Sequence, residues 1–331
     1  EFYAEGTLIG TDTSAPYEVS WNSPAMPDGL RLLNAKAYDS AGNYSSSTIV
    51  VTLDNTLPGA AITSPAPGAF VRGTVLLNAT ASDNQGVDRV EFYVDGMLVD
   101  TDLNASYQGA WNTAGATNGA HTLTAKAFDI AGNVRTTAGV TVTVDNTAPT
   151  TALGTPAHNA SVRGTVAVSA TASDNLGVDR VEFLAGTTLL GTVTTAPYGV
   201  SWDTTALASG SAVTLTTKAY DAAGNVTTSA ARTVTVDPTA PSVAITSPAN
   251  GASFSGLTFS TTLQASASDN VGVTQVVFYD GGSVIGTDTT APYSVSWSLL
   301  GVSKGTHTLT ARAQDAAGNV TTSAPISVKV N

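Results

Sequence analysis

The sequence predicts an all-β protein, a series of antiparallel sandwiches with about seven short strands in each. One observation is a repeat, since the pattern Asp-x-Ala-Gly-Asn occurs four times, at 39–43, 129–133, 221–225 and 315–319. A second is the spacing of the four tryptophans, which recur roughly every 90 residues, at Trp21, Trp111, Trp202 and Trp297. The third is the alternation of apolar and polar residues between turn signals, with almost no helical periodicity. One module has therefore been copied along the chain.

The second copy of the module shows the predicted strands most clearly. Val75, Leu77 and Ala79 recur with a period of two, which indicates a half-buried strand. The inward rows of the later strands are Val90, Phe92 and Val94; Tyr107, Gly109 and Trp111; Leu123, Ala125 and Ala127; and Val140, Val142 and Val144. The repeated pattern between the last two rows predicts a turn, because Gly and Asn adopt positive φ at low cost.

The recurring tryptophan is interpreted as part of the core. Small Ala residues on a neighbouring predicted strand leave room for an indole between two sheets, where a large aromatic side chain stabilises a small sandwich. A second strip, the aromatic strip, is a candidate for sugar stacking. It is formed by outward residues at one position of each copy, three Tyr and one Leu: Tyr3, Tyr93, Leu184 and Tyr279. One side chain per module is weak evidence for it, and carbohydrate stays an open partner.

Short linkers that end in proline set the predicted domain boundaries. Pro58, Pro149 and Pro241 close these linkers, and proline restricts both its own φ and the preceding residue. The predicted domains are a first, partial module at 1–54, a second at 55–145, a third at 146–237 and a fourth at 238–331. The modules are expected to be arranged end to end with little freedom at the joints.

The first module lacks its first strands, because its opening Glu-Phe-Tyr corresponds to the middle of the later copies. Two interpretations stay open. The sequence could begin at a fragment boundary, or strands from another copy of the chain or another surface protein could complete residues 1–54. Donation of a strand to an open sheet is an established mode of association.

Composition restricts the classes of partner. The chain of 331 residues has 13 Lys and Arg against 25 Asp and Glu, a net charge of −12, which argues against nucleic acid because phosphate binding needs clustered cations. It contains no cysteine, so disulfide and thiolate chemistry are excluded. No apolar run is long enough to predict a membrane span, and no leader segment is recognisable. The low content of charged residues favours an extracellular or cell-surface location.

Several motifs together give a specific resemblance. They are Ser-Asp-Asn-x-Gly-Val at 82–87, Val-Glu-Phe-Tyr-x-Asp-Gly at 90–96, Val-Asp-Asn-Thr-Ala-Pro at 144–149 and Thr-Ala-Pro-Tyr-x-Val-Ser-Trp at 290–297. With the repeated Asp-x-Ala-Gly-Asn, they resemble the bacterial Ig-like domain tandem repeats of surface adhesins and of spacer regions in secreted multimodular proteins. The resemblance covers the whole chain and implies Ig-like sandwiches.

The function implied by this resemblance is non-catalytic. It is a structural or spacer repeat region of a bacterial surface adhesin or fibre, with filament assembly by strand complementation as one form. The alternative is a set of carbohydrate-binding or spacer modules in a secreted polysaccharide-degrading enzyme. The chain is not expected to be an enzyme, since His121, His158 and His307 form neither a zinc set nor a catalytic triad.

In an Ig-like topology, each linker enters its module close to two of the predicted turns. The oxygen-bearing residues brought together would be Asp54, Asn55, Asp83, Asn84, Asp129 and Asn133 in the second module; Asp145, Asn146, Asp174, Asn175, Asp221 and Asn225 in the third; and Asp237, Asp269, Asn270, Asp315 and Asn319 in the fourth. Such sets suit Ca²⁺, which takes six to eight oxygen ligands. They resemble calcium-stiffened cadherin junctions. The alternative is that these residues only cap turns through their own backbone.

Overall fold

The computed structural model describes residues 1–255 and 258–331 and confirms the all-β class. The chain divides into two compact units, Glu1–Thr147 and Ala148–Asn331. The first unit holds the first and second modules, and the second unit holds the third and fourth. In the described part of the chain the helical structure is a single 3₁₀ turn, Thr113–Gly115, and no helix there could cross a membrane.

The first module forms one antiparallel sheet of four strands in the order β2-β1-β3-β4. Its strands are β1 (Phe2–Ala4), β2 (Thr7–Gly10), β3 (Gly29–Tyr38) and β4 (Tyr44–Leu53). The inner face of this sheet has no second sheet over it among residues 1–53. Ile49 on that face is consequently 58% exposed, although its counterpart Val140 in the second module is half-buried.

The second module is a complete sandwich. Its strands are β5 (Gly59–Ser64), β6 (Phe70–Val71), β7 (Thr74–Ser82), β8 (Val87–Val94), β9 (Met97–Asp102), β10 (Gln108–Asn112), β11 (Gly119–Asp129), β12 (Val134–Thr136) and β13 (Val140–Val144). A three-stranded sheet, β10-β7-β5, faces the sheet β6-β13-β11-β8-β9, in which β12 also pairs with β11. Only the pairing of β6 with β13 is parallel in this module. Nine strands replace the predicted seven because two segments of two and three residues also pair.

The second unit contains two further sandwiches of the same topology. The third module consists of β14 (Thr150–Thr155), β15 (Ser161–Val162), β16 (Thr165–Ser173), β17 (Val178–Ala185), β18 (Thr188–Val193), β19 (Tyr198–Asp203), β20 (Ala212–Asp221), β21 (Val226–Thr228) and β22 (Arg232–Val236). The fourth consists of β23 (Ser242–Ser247), β24 (Ser253–Phe254), β25 (Ser260–Ser268), β26 (Val273–Asp280), β27 (Ser283–Asp288), β28 (Tyr293–Ser298), β29 (Gly305–Asp315), β30 (Val320–Thr322) and β31 (Ile326–Val330).

Each sandwich buries the predicted inward rows between its two sheets. The phenylalanine at the centre, Phe92, Phe183 or Phe278, is at most 1% exposed. The tryptophans of the complete modules, Trp111, Trp202 and Trp297, are 5–6% exposed, which confirms their assignment to the core. Trp21 in the uncovered first module is only half-buried.

Two facing positions, on β9 and β10 in the second module, are occupied by one small and one larger residue in every module, but not always in the same order. In the first, third and fourth modules a glycine faces a valine, and a Cβ on that glycine would lie 2.7–3.0 Å from a valine methyl; the pairs are Gly10 with Val19, Gly191 with Val200 and Gly286 with Val295. The second module reverses the sizes, with Asp100 on β9 and Gly109 on β10. A Cβ on Gly109 would lie 2.7 Å from Phe92 Cδ2 and 3.1 Å from Asp100 Cβ. The two positions therefore have room for one side chain between them.

This reciprocity predicts that Gly109→Val destabilises the second module by about 1–3 kcal/mol through overpacking. The double variant Asp100→Gly/Gly109→Val restores the arrangement of the other modules and should recover most of the loss. Hydrogen exchange of second-module amides in the full chain, followed by mass spectrometry, measures both effects. Gly115→Val is the matched control because a Cβ there meets nothing within 4 Å. A double variant no more stable than Gly109→Val would contradict the prediction.

Candidate metal centres

Three aspartates meet where a linker enters the next module. Site 1 consists of Asp54, Asp83 and Asp129 in the first unit, and site 2 of Asp237, Asp269 and Asp315 in the second. One carboxylate oxygen from each residue of a site lies within 4.8 Å of the others. The fold brings them together because the linker runs past two turns. One turn follows β7 or β25, and the other follows the longest strand of the module, β11 or β29. For these six residues, the predicted proximity is found in the structure.

The Asp-x-Ala-Gly-Asn turn holds one carboxylate of each site in place. In site 1, the backbone N–H of Asn133 donates to Asp129 Oδ1 at 2.8 Å, and its side-chain Nδ2 donates to Asp129 Oδ2 at 2.7 Å. Gly132 allows this tight return of the chain with a φ of +94°. The turn of site 2 is the same, with Asn319 donating to both oxygens of Asp315 at 2.8 and 2.7 Å.

The same asparagine also fixes the linker. Asn133 Nδ2 donates to the backbone carbonyl of Asp54 at 3.0 Å, and Asn319 Nδ2 donates to that of Asp237 at 2.8 Å. The amide nitrogen of each asparagine therefore braces the site by joining two of its aspartates. This places the first aspartate of each site at a defined distance from the turn.

Each site contains buried carboxylate oxygens that no donor satisfies. They are Asp54 Oδ2 and Asp83 Oδ1 in site 1, and Asp237 Oδ2 and Asp269 Oδ1 in site 2. Asp54 is 8% exposed and Asp237 is fully buried. Burial raises the pKa of the Asp54 carboxyl, and the charges of Asp83, Asp129 and Asp28 act in the same direction, against the Thr56 N–H bond that lowers it. Anionic oxygens in this state are costly unless a positive charge is near them.

The other predicted asparagines lie beside the sites as hydrogen-bond donors. Asn55 Nδ2 donates to the carbonyls of Ser23 and Met26 at 3.2 and 3.3 Å. Asn84 Nδ2 donates to Asp28 Oδ2 at 3.1 Å, and Asn270 Nδ2 donates to Ser209 Oγ at 2.8 Å. These amides tie the linker and the first turn of one module to the loop that precedes β3 or β20 in the module before it.

One residue in each of these loops, Asp28 and Ser209, was not predicted from the sequence. Asp28 accepts from the Asn55 N–H at 2.7 Å and from the Thr56 hydroxyl, so it adds a fourth carboxylate close to site 1. In site 2 a neutral residue takes this place, since Ser209 donates to Asp237 Oδ1 at 3.0 Å. Neither residue belongs to a repeated motif. Only their position in the sequence could have indicated them. Asp28 lies one residue before the long strand β3, and Ser209 lies three residues before the long strand β20.

The set predicted for the third module is divided between the two units. Asp145 and Asn146 belong to the first unit, and Asp174, Asn175, Asp221 and Asn225 to the second. Within the second unit, Asn225 donates to both oxygens of Asp221, at 2.8 and 2.6 Å, as the equivalent turns do. A metal site at this junction stays a prediction, as do the module boundaries.

Family models match all four modules. The model described as Bacterial Ig domain matches residues 1–47, 58–125, 149–236 and 241–311, and that of Bacterial Ig-like domain (group 3) matches 105–192. Chitinase A1 of Niallia circulans is 37% identical over 204 residues, which cover 58% of this chain and 27% of that protein. Exoglucanase B of Cellulomonas fimi is 38% identical over 192 residues, which cover 54% of this chain and 16% of that protein. The chain thus spans a minor part of both relatives.

Among solved structures, the fibronectin(III)-like modules of Clostridium thermocellum CbhA align with 28% identity and a TM-score of 0.41, over 54% of this chain and 93% of theirs. This alignment covers about half of the repeats, whereas the family model extends through every module. The chain belongs to the bacterial Ig domain family.

Proposed function

We propose that this chain is a non-catalytic spacer region of a secreted polysaccharide-degrading protein, and that Ca²⁺ bound at sites 1 and 2 fixes the linker to the module that follows it. The similarity to segments of a chitinase and an exoglucanase supports the spacer role. The observation that carries the calcium role is the set of buried, unsatisfied carboxylate oxygens in sites 1 and 2. Polymers such as chitin are too large to enter a bacterial cell, which favours an extracellular location.

The chemistry of the sites favours Ca²⁺ over other divalent ions. The candidate ligands are carboxylate oxygens of aspartate, and no histidine belongs to either described site. Ca²⁺ takes six to eight oxygen ligands and accepts several carboxylates, whereas Mg²⁺ keeps several waters and is usually held by one or two carboxylates. A divalent cation would offset two of the three carboxylate charges of each site.

Ion binding would act on the joint because the first aspartate of each site belongs to the linker. Asp54 and Asp237 lie near the start of the linkers that end at Pro58 and Pro241. The other two aspartates of each site belong to the next module. A cation shared among them holds the linker against that module. In the second unit Arg163 adds a second tie, since its Nε and Nη2 donate to the carbonyls of Ala317 and Gly318 at 3.0 Å each.

Carbohydrate binding through the outward aromatic strip is less well supported. Lys126 Nζ lies 4.4 Å from the centroid of the Tyr93 ring, and Lys36 Nζ lies 4.6 Å from that of Tyr3. The Tyr93 hydroxyl also donates to Glu91 Oε2 at 2.6 Å. These two rings are therefore engaged with their own sheet, and a sugar would have to displace the lysine before stacking.

An adhesin or fibre is the alternative role, and filament assembly by strand complementation stays a prediction. Both relatives reported above carry the names of polysaccharide-degrading enzymes rather than of adhesins. We therefore place the spacer role first.

Removing one ligand from each site should abolish the stabilisation by calcium. Addition of millimolar Ca²⁺ to EGTA-treated protein should raise the thermal midpoint, because a ligand at about 100 times its Kd stabilises by about 2.7 kcal/mol. Asp83→Asn should remove the effect at site 1 and Asp269→Asn at site 2, with one bound ion lost by each in isothermal titration. Asp88→Asn, a half-exposed carboxylate of the second module, is the control. A midpoint that does not respond to Ca²⁺ in the wild type rejects the calcium role.

The raised pKa of Asp54 gives a pH dependence with a definite sign when calcium is absent. The folded state then holds this proton more tightly than the unfolded state, where the pKa is about 3.9, so the contribution of Asp54 to stability rises as the pH falls from neutral. In EGTA, the wild type should therefore gain stability relative to Asp54→Asn as the pH falls from neutral towards the unfolded value of about 3.9. With saturating Ca²⁺ the difference should change in the opposite direction, because protons compete with the ion. Parallel urea titrations measure it, and a difference independent of pH in both media would be the contrary result.

The spacer role itself is tested by affinity electrophoresis of the full chain through gels containing soluble chitin, β-glucan or mannan derivatives. A spacer should migrate as it does in plain gels, with Ca²⁺ or with EGTA. Retardation that disappears in Tyr93→Ala/Tyr279→Ala would instead assign carbohydrate binding to the aromatic strip. The calcium experiments are independent of this outcome, so the two parts of the proposal can fail separately.

A further inference from the structure

Two histidines are each placed between two hydrogen-bond acceptors. In the second module, His121 Nδ1 lies 2.6 Å from Asp95 Oδ2, and Nε2 lies 2.9 Å from the carbonyl oxygen of Thr117. In the fourth, His307 Nδ1 lies 2.7 Å from Asp280 Oδ2, and Nε2 lies 2.8 Å from the carbonyl oxygen of Ser303. A neutral imidazole has one N–H and can satisfy one acceptor only. The imidazolium form donates to both, so this geometry selects the charged ring.

We propose that His121 and His307 are pH-dependent latches, which in their protonated form fasten the loop before β11 or β29 to the hairpin at the same end of the sandwich. Each ring joins two segments that are far apart in sequence. The carboxylate belongs to the β8–β9 or β26–β27 hairpin, and the carbonyl belongs to the loop 113–118 or 299–304. Loss of the proton removes one of the two hydrogen bonds. This inference goes beyond the spacer role and does not depend on calcium.

The surroundings of both rings favour the charged form. Each histidine side chain is 11% exposed and packs edge-on against the module's tryptophan, Trp111 at 5.5 Å and Trp297 at 5.8 Å between ring centroids. Their cross-strand neighbours, Val142 and Val328, carry no charge. The charges acting on the rings are those of Asp95 and Asp280, and the cations closest to His307 in sequence, Lys304 and Arg312, are not among the groups that shift its pKa.

The pKa of both histidines is raised, first by the hydrogen bond to the loop carbonyl and then by the carboxylate, while burial opposes the shift. The unfolded reference is about 6.5. A raised pKa in the folded state means that the stabilisation is fully present below pH ~6.5 and is lost as the pH rises through the folded pKa. The latches therefore stabilise the second and fourth modules on the acidic side of neutral.

The carboxylate reaches the histidine from two different positions in the hairpin. The N–H of Asp95 donates to the Thr122 carbonyl at 2.9 Å, and in the fourth module the matching N–H belongs to Gly281, which donates to the Thr308 carbonyl at 2.7 Å. Asp280 therefore stands one residue earlier than Asp95, where the second module has Val94. Copying of a module does not by itself produce the same pair from two positions.

The other two modules replace the latch with groups that do not titrate near neutral pH. The third module has Val213 in place of the histidine and Gly186 in place of Asp95, and an open cavity of about 680 Å³ lies there beside Trp202. The first module has Arg31, which donates to the carbonyl of Pro27, the counterpart of Thr117. The chain thus contains a latch-free version and a permanently charged version of the same position.

In the second module, the fastened loop also holds the linker that leaves the module. Asn146 Nδ2 donates to the Thr113 carbonyl at 2.7 Å, and its N–H donates to Asn118 Oδ1 at 2.8 Å. Asn118 Nδ2 donates in turn to Thr147 Oγ1 at 2.6 Å. Release of His121 from Thr117 would therefore loosen the loop that grips residues 146–147.

The first test is an NMR titration of the full chain, in which the ring resonances are assigned from His121→Gln and His307→Gln. Both rings should titrate at a higher pH than histidine in the same chain unfolded in urea. In the acidic plateau, both N–H protons of each ring should be observable and slow to exchange. Midpoints at or below the unfolded value would overturn the proposal. This measurement uses the wild-type fold, so it decides the question even if a variant fails to fold.

The second test compares stability across pH with Ca²⁺ held either saturating or removed. The wild type should lose stability relative to His121→Val/His307→Val, which copies the third module, as the pH rises from about 6.5 through the folded pKa. His121→Arg, which copies the first module, should remove the pH dependence contributed by the second. Identical profiles for the wild type and the double valine variant would overturn the latch.

Discussion

The dominant constraint on this protein is that each module has only enough apolar surface to cover one thin core. A sandwich of this size buries a small fraction of its surface compared with larger domains, and its fully buried residues are one Phe with a few Leu, Val and Ala side chains. The tryptophan of each complete sandwich fills the space between the two sheets and is 5–6% exposed. Stability beyond this core has to come from the two ends of each sandwich, where loops and linkers meet.

The longest strand connects these two ends. β11 begins at Gly119, two residues before His121, and ends at Asp129 of site 1. Its start faces a loop that holds the outgoing linker, and its end faces the incoming linker at Asp54. In the fourth module β29 carries His307 and Asp315 in the same way. A single rigid strand thus positions a cationic contact at one end and an anionic cluster at the other, with the core between them.

The sequence predicts this arrangement wherever a residue recurs with its turn. The aspartates of sites 1 and 2 were found because each belongs to a repeated motif whose turn has one geometry, and the tryptophans because their spacing fixes one place in the core. Asp28 and Ser209 were not found, since their loop has no repeated residue and their contacts cross to another module. The histidine pairs were missed for a related reason. Asp95 and Asp280 differ in position within the hairpin, and their contacts with histidine span 26 and 27 residues of sequence.

The pattern of differences among the copies indicates where the modules are specialised. The central Phe is the same in all four, and the Gly–Val contact is either kept or exchanged for Asp100 and Gly109 without changing the space filled. At the ends, however, Arg31, His121, Val213 and His307 occupy one position, and a carboxylate beside site 1 becomes a hydroxyl beside site 2. These end positions lie at the margin of the core, where they also touch linkers or loops, so a change there alters the joint while the centre of the core stays the same. Differences in charge at the joints are therefore the means by which one repeated fold can give joints of unequal strength and unequal response to pH.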